Sequence, residues 1–259
     1  MAYEPPKNYD YSDKYNNKER IMRECISIHE DMKKRRLIHK IWPTTDEIFY
    51  SEYIYRLLKT VEMILIVCRR RGTKVLDVGC GEGRLVLLLK SLGLDVTGVD
   101  LHAFEGVNTF NEPRGPLLSR CFSENGVEVK TVDIERDNLP FPDNYFDMVM
   151  FMDVIEHLHN SPKPILREIA RVLNDGAFLL MSTPNHASLR KRINAMRGKS
   201  NHWPLKGYYN FEFISPPSLD YVGHVREFTL SEIEMMLKWE DFRSSYLKHM
   251  HFRMRKVSL

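Results

Sequence analysis

VLDVGCGEGRL, residues 75–85, is the stretch on which the fold turns. Lys74 to Val78 (KVLDV) is a short β-branched run that reads as a strand, and residues 83–92 read as an apolar helix. The glycines between them let the chain reverse tightly. Gly79 and Gly81 also bring backbone close to a ligand with no Cβ in the way. A helix N-terminus that follows such a turn favours a negative group. The spacing is GxGxG with Asp77 two residues before the first glycine, not the GxGxxG of dinucleotide binders.

Working outward from this turn, strands and helices alternate. Asp95 to Val99 (DVTGV) and Val127 to Val132 (VEVKTV) read as strands, with a helix over 116–124 between them. Phe146 to Met152 (FDMVMFM) and Ala177 to Met181 (AFLLM) are near-continuous apolar runs, as expected of strands buried on both faces, and a helix over 162–173 separates them. The rhythm predicts an α/β fold with a Rossmann-like, mostly parallel sheet and helices on both faces. A helix over 229–238 opens with a capping box, Thr229 and Glu232. The 21 residues after it can supply one strand and part of another, so the closing strand is expected to be short, missing or supplied by a partner. Residues 74–259 are taken as one domain. Residues 1–73 form an N-terminal helical extension or lid, with helices over 17–41 and 46–70. Residues 184–222, rich in proline and aromatic side chains, form a cap insertion.

Three carboxylates close three successive strands at the edge where doubly wound folds bind ligands. Asp77 belongs to the first, and Asp100 ends the second, where an acidic residue hydrogen-bonds ribose hydroxyls. Asp133 ends the third, placed to reach an adenine amino group while Ile134 packs on the ring.

Composition sets the outer bounds. The 259 residues carry 38 Lys plus Arg and 35 Asp plus Glu, for a net charge of +3, with 43% apolar residues. This excludes a disordered chain. The longest near-apolar run, Val61 to Cys68, falls short of the roughly 20 residues that a membrane span needs. The first 15 residues contain no apolar stretch, which argues against a secretory signal. The four cysteines form no CxxC pair, so a reducing, cytoplasmic setting is expected. The net charge splits into +5 over residues 1–74, −8 over 75–183 and +6 over 184–259.

VLDVGCGEG, VTGVD, VDIE and LPFPDNYFDMVMFMDVIEHL together resemble the class I S-adenosylmethionine (SAM)-dependent methyltransferases over residues 74–183. STPN (182–185) and GHVREFTLSEIEMML (223–237) are similar to the small-molecule O-methyltransferase branch, which includes ubiquinone-biosynthesis and sugar or natural-product enzymes. The resemblance implies SAM as cofactor. It places Asp77, Gly79 and Gly81 around the methionine half, Asp100 on the ribose, and Asp133 with Ile134 at the adenine. Asp153 falls beside the methyl-donating sulfur. SAM is cationic at sulfur and at its amino group, so an acidic middle segment suits it.

Methyl transfer to a hydroxyl needs a base or a metal to remove the proton. The candidate segment is DVIEHLH, residues 153–159, with Asp153, Glu156 and His157 on one face if a helical turn begins there; His224 could return over the same place. Three roles stay open. His157 or His224 is the general base; or Asp153, Glu156, His157 and His224 hold a divalent metal, resembling the small-RNA terminal 2′-O-methyltransferases; or Glu156 and His157 only orient the segment after the fourth strand. The expected acceptor is a small molecule, anionic or a glycan. It would be drawn by Arg190, Lys191, Arg192, Arg197 and Lys199 and by the basic stretch Lys33 to Lys40. RNA is the alternative substrate, although no nucleic-acid-binding module is recognised, and a non-catalytic SAM-binding subunit is the alternative class. An NAD-dependent oxidoreductase is disfavoured by the glycine spacing. A homodimer is left open.

Overall fold

The computed structural model describes residues 72–101, 114–202, 224–248 and 251–256, with Arg23, Ser27, Leu57 and most of 59–68. The expected N-terminal arm, the basic stretch 33–40, the loop 102–113 and the aromatic part of the cap (203–222) lie outside the described residues. Helical residues between Leu57 and Val67 bear out that part of the expected second helix, and its predicted apolar face is buried at Val61, Ile64 and Cys68.

The chain divides into two compact units, residues 1–75 with 80–131, and residues 76–79 with 132–259. Strand β1 (Lys74–Val78) contributes to both. In the first unit follow α1 (Arg84–Ser91), β2 (Asp95–Asp100), α2 (Arg114–Glu124) and β3 (Glu128–Thr131). The strand order there is β3-β2-β1, and β2 runs parallel to β3 from Thr97 opposite Glu128 to Asp100 opposite Thr131. Helix α1 buries Val86, Leu87, Leu88 and Leu89. Its start is fixed by Gly83, where an added Cβ would lie 2.3 Å from the Phe122 ring of α2. The helix ends in a Schellman motif, with the Leu94 and Gly93 amides donating to the carbonyls of Leu89 and Lys90.

The second unit holds β4 (Phe146–Met152), a 3₁₀ turn (Ile155–His157), α3 (Lys163–Val172), β5 (Leu173–Ser182), α4 (Leu189–Met196), α5 (Leu230–Trp239), β6 (Phe242–Lys248) and β7 (His251–Lys256). Its strand order is β1-β4-β5-β7-β6. Strands β4 and β5 are parallel, with Met148 opposite Phe178 and Met152 opposite Ser182. In β4 only Asp147 is exposed, and it accepts a hydrogen bond from Asn174. Helix α3 turns Ile165, Leu166, Ile169 and Val172 inward, four positions at helical spacing. Strands β1 to β5 make the parallel, Rossmann-like α/β sheet that the alternating pattern predicts.

The closing hairpin takes the short form among the expected alternatives, with both strands supplied by this chain. Strands β6 and β7 fit into the last residues, because only positions 249–250 separate them, and β7 runs antiparallel to both β5 and β6. Strand β5 is also longer than its apolar run suggested, since it begins at Leu173, directly where α3 ends. The capping box forms as predicted: the Thr229 hydroxyl accepts from the Glu232 amide, and the Glu232 carboxylate accepts from the Thr229 amide. Replacing Thr229 with Ala is expected to cost about 1 kcal/mol, read as a lower urea midpoint with an unchanged slope.

Candidate active site

In the first unit the glycine turn meets the end of β2. The Gly81 amide donates to Asp100 Oδ2 at 2.8 Å, and the Cys80 amide donates to the Val99 carbonyl. A Cβ built on Gly81 would have no atom within 4 Å, so this bend presents bare backbone beside a carboxylate. In the second unit Asp77 is buried on β1, and Gly79 packs against Val154, the residue that opens the 3₁₀ turn. Asp133, at the end of β3, organises its own turn: Oδ1 accepts from the Glu135 amide, and its carbonyl accepts from the amides of Arg136 and Asp137. Ile134, next to it, is half-buried. In the first unit, the bare backbone at Gly81 beside the Asp100 carboxylate is compatible with a cofactor that carries positive charge.

Beyond β4 the chain does not form the expected α-helical turn. Asp153 adopts a left-handed conformation (φ 53°), and only Ile155 to His157 coil, as a 3₁₀ turn. The Asp153 carboxylate is held by Ser182 at the end of β5: Oδ1 accepts the hydroxyl at 2.9 Å, and the Asp153 amide donates to the Ser182 carbonyl. Of the four residues that sequence spacing placed together, Glu156, His157 and His224 converge. One donor atom from each of Glu156, His157 and His224 lies within 4.8 Å of the others. The His157 and His224 rings meet edge to face, with centroids 5.1 Å apart.

His224 returns to this place because its own backbone is anchored there. The amides of Val225 and Arg226 both donate to the Glu156 carbonyl, and residues 185–186 bridge to Phe228. Glu156 itself is buried. Its Oε2 accepts the Thr183 hydroxyl at 2.9 Å, and its Oε1 has no hydrogen-bond partner among the described residues. Burial pushes its pKa up to about 7, assisted by the Asp153 carboxylate and opposed by Thr183 and His224. A carboxyl raised in the folded state favours folding below its ordinary range, near 4.5, and loses that contribution as pH rises through about 7. Glu156→Gln, which stays uncharged, should therefore gain stability over the parent between pH 5 and pH 8, by up to roughly 3 kcal/mol. Urea unfolding at both pH values checks this, and an equal difference at the two would refute it.

Three partners in this cluster were not singled out by sequence reading as site residues. Thr183 and Ser182 lie in STPN, and Glu227 lies in GHVREF; both stretches were visible in the sequence, but not what those side chains hold. Glu227 accepts from His224 Nδ1 at 2.9 Å through Oε1 and pairs with Lys191 through Oε2. Lys191 is thus engaged on α4, whereas Arg190, Arg192, Arg197 and Lys199 are exposed around it.

A family model described as a methyltransferase domain matches residues 49–252. The chain belongs to this family, and it is a class I SAM-dependent methyltransferase. A ubiquinone biosynthesis O-methyltransferase of Glaesserella parasuis is 31% identical over 150 residues, which cover 57% of this chain and 61% of that protein. The enzyme of the same name from Xanthomonas campestris is 29% identical over 177 residues, which cover 67% of this chain and 69% of that protein. The chain thus spans some three-fifths to two-thirds of these relatives' length. The PH0226 protein of Pyrococcus horikoshii shares the fold, with a TM-score of 0.56 at 23% identity over 85% of this chain and 97% of that one.

Proposed function

We propose that the protein transfers a methyl group from SAM to an oxygen of a small molecule, a saccharide or biosynthetic intermediate, and that His157 and His224 handle the acceptor's proton. The observation that carries this reading is the convergence of Glu156, His157 and His224 one turn beyond β4. The names of the relatives above point the same way. When bound, SAM supplies an electrophilic methyl group. Asp77, Gly79 and Gly81 would hold its methionine half, Asp100 its ribose, and Asp133 with Ile134 its adenine. Asp153, fixed by Ser182, would lie toward the sulfonium. The imidazoles would take the hydroxyl proton as the oxygen attacks, and the exposed cations of α4 would favour an anionic or glycan acceptor. No described helix is long and apolar enough to cross a membrane, and we place the reaction in the cytoplasm.

Labelled SAM offered with pools of glycans, small phenols and short RNAs tests the substrate class. Label in the glycan or phenol pool supports the reading, whereas label in RNA alone overturns it in favour of RNA 2′-O-methylation. No label in any pool would leave a SAM-binding subunit.

One observation favours a second reading of the same cluster. The unpartnered Glu156 Oε1 and the two imidazoles form a three-donor set of the kind that holds a divalent cation. Turnover that persists in chelator supports proton transfer by imidazole alone. Loss on chelation, restored by added divalent metal, assigns the cluster to a metal.

A further inference from the structure

We infer that Glu227 is the positioning residue for His224, and that it sets which ring nitrogen carries the proton. This rests on the proposed role of His224 as a base. The backbone contacts to Glu156 fix where residue 224 sits, but the imidazole is more than a third exposed and needs a second anchor to hold its orientation. Glu227 supplies it from three residues along the chain, with Oε1 2.9 Å from Nδ1. The other oxygen is engaged by the Lys191 ammonium from α4, and His186 Nδ1 lies 3.7 Å from it.

This arrangement has one consistent proton assignment. A carboxylate paired with an ammonium is ionised and can only accept hydrogen bonds, so His224 Nδ1 must be the donor. In a neutral imidazole the lone pair then resides on Nε2, which is the nitrogen left to receive a proton. Glu227 does not touch the reacting atoms. It turns an exposed histidine, free to rotate and to exchange tautomers, into one presented in a single form. Lys191 couples this anchor to α4, so the helix carrying the exposed cations and the tautomer of His224 share one ion pair.

The test is nitrogen NMR on the full-length protein labelled with ¹⁵N-histidine, with the His224 signals assigned by their loss in His224→Gln. The parent should show the Nδ1–H tautomer at neutral pH. Glu227→Leu and Glu227→Ala should show Nε2–H in its place, with SAM affinity by calorimetry unchanged. Turnover on whichever pool member the parent labels should fall about tenfold or more, up to the roughly 10²–10⁴ typical of removing a base outright. Thermal melting of both variants verifies that they are folded. A folded Glu227 variant that keeps the Nδ1–H tautomer overturns the inference, and so does a parent that shows Nε2–H. Full turnover by His224→Ala would instead defeat the role of His224 as base while leaving the tautomer result standing.

Discussion

His157→Ala should lower kcat by roughly 10²–10⁴ while SAM affinity stays at the parent value. The split follows from where the residue sits. His157 closes the 3₁₀ turn after β4, half-buried, with its ring against His224. The residues proposed to hold SAM are on β1, on the glycine turn, at the ends of β2 and β3, and at Asp153 just after β4, where Ser182 rather than His157 holds the carboxylate, and none of them is altered. Because the turn also depends on Ile155 and Glu156, both buried, and on the Val154 carbonyl accepting the His157 amide, truncating the imidazole removes chemistry before it removes structure. His224→Ala should show the same split. Single-turnover rates with labelled SAM, set beside calorimetric SAM binding, separate the two effects. Normal turnover by His157→Ala would sink both the imidazole reading and the metal reading.

Gly79→Ala should destabilise the protein by roughly 2–5 kcal/mol. Two costs combine. The residue has φ 79°, where a Cβ costs about 1–2 kcal/mol. The added methyl would also lie 2.4 Å from Val154 Cγ2, a distance that forces a shift worth about 1–3 kcal/mol. Val154→Ala removes that methyl, so the double variant should recover the steric share and keep the backbone share. A four-protein cycle by urea unfolding reads this as a non-additive coupling. If the two single costs simply add, the packing of Gly79 on Val154 is not what requires glycine there. The same contact has a functional side. It ties the bend after β1 to the residue that begins the His157 turn, so SAM affinity and turnover should both suffer in Gly79→Ala and both improve in the double variant.

Legibility in the sequence followed how local the cause was. The bounds of β4 were readable because a seven-residue apolar run with one polar interruption has few other uses. The Thr229 cap was readable because both partners lie within four residues. The start of β5 was not, since Leu173 to Gly176 resemble a loop, and the strand begins there through the pairing of Leu173 with Phe146 across an irregular register. Which form the closing hairpin takes was left open for a similar reason: its strands are polar and short, and the pairing of β7 with β5 and of β6 with β7, rather than their own composition, makes them strands. At the candidate site, spacing within DVIEHLH placed Asp153 with Glu156 and His157. It assumed a helical periodicity that the left-handed backbone at Asp153 breaks.

By itself, then, the sequence determined the α/β class, the glycine turn with its acidic strand ends, and the pair of histidines. These depend on periodicity and on residue types close together in the chain. Tertiary structure alone decided that Glu156 is buried beside Thr183, that Asp153 turns to Ser182, and that Lys191 pairs with Glu227. Those outcomes join residues 27 to 36 positions apart, or depend on removal from water. No local pattern encodes either, because burial and long-range pairing exist only once the strands and the returning segment have been brought together.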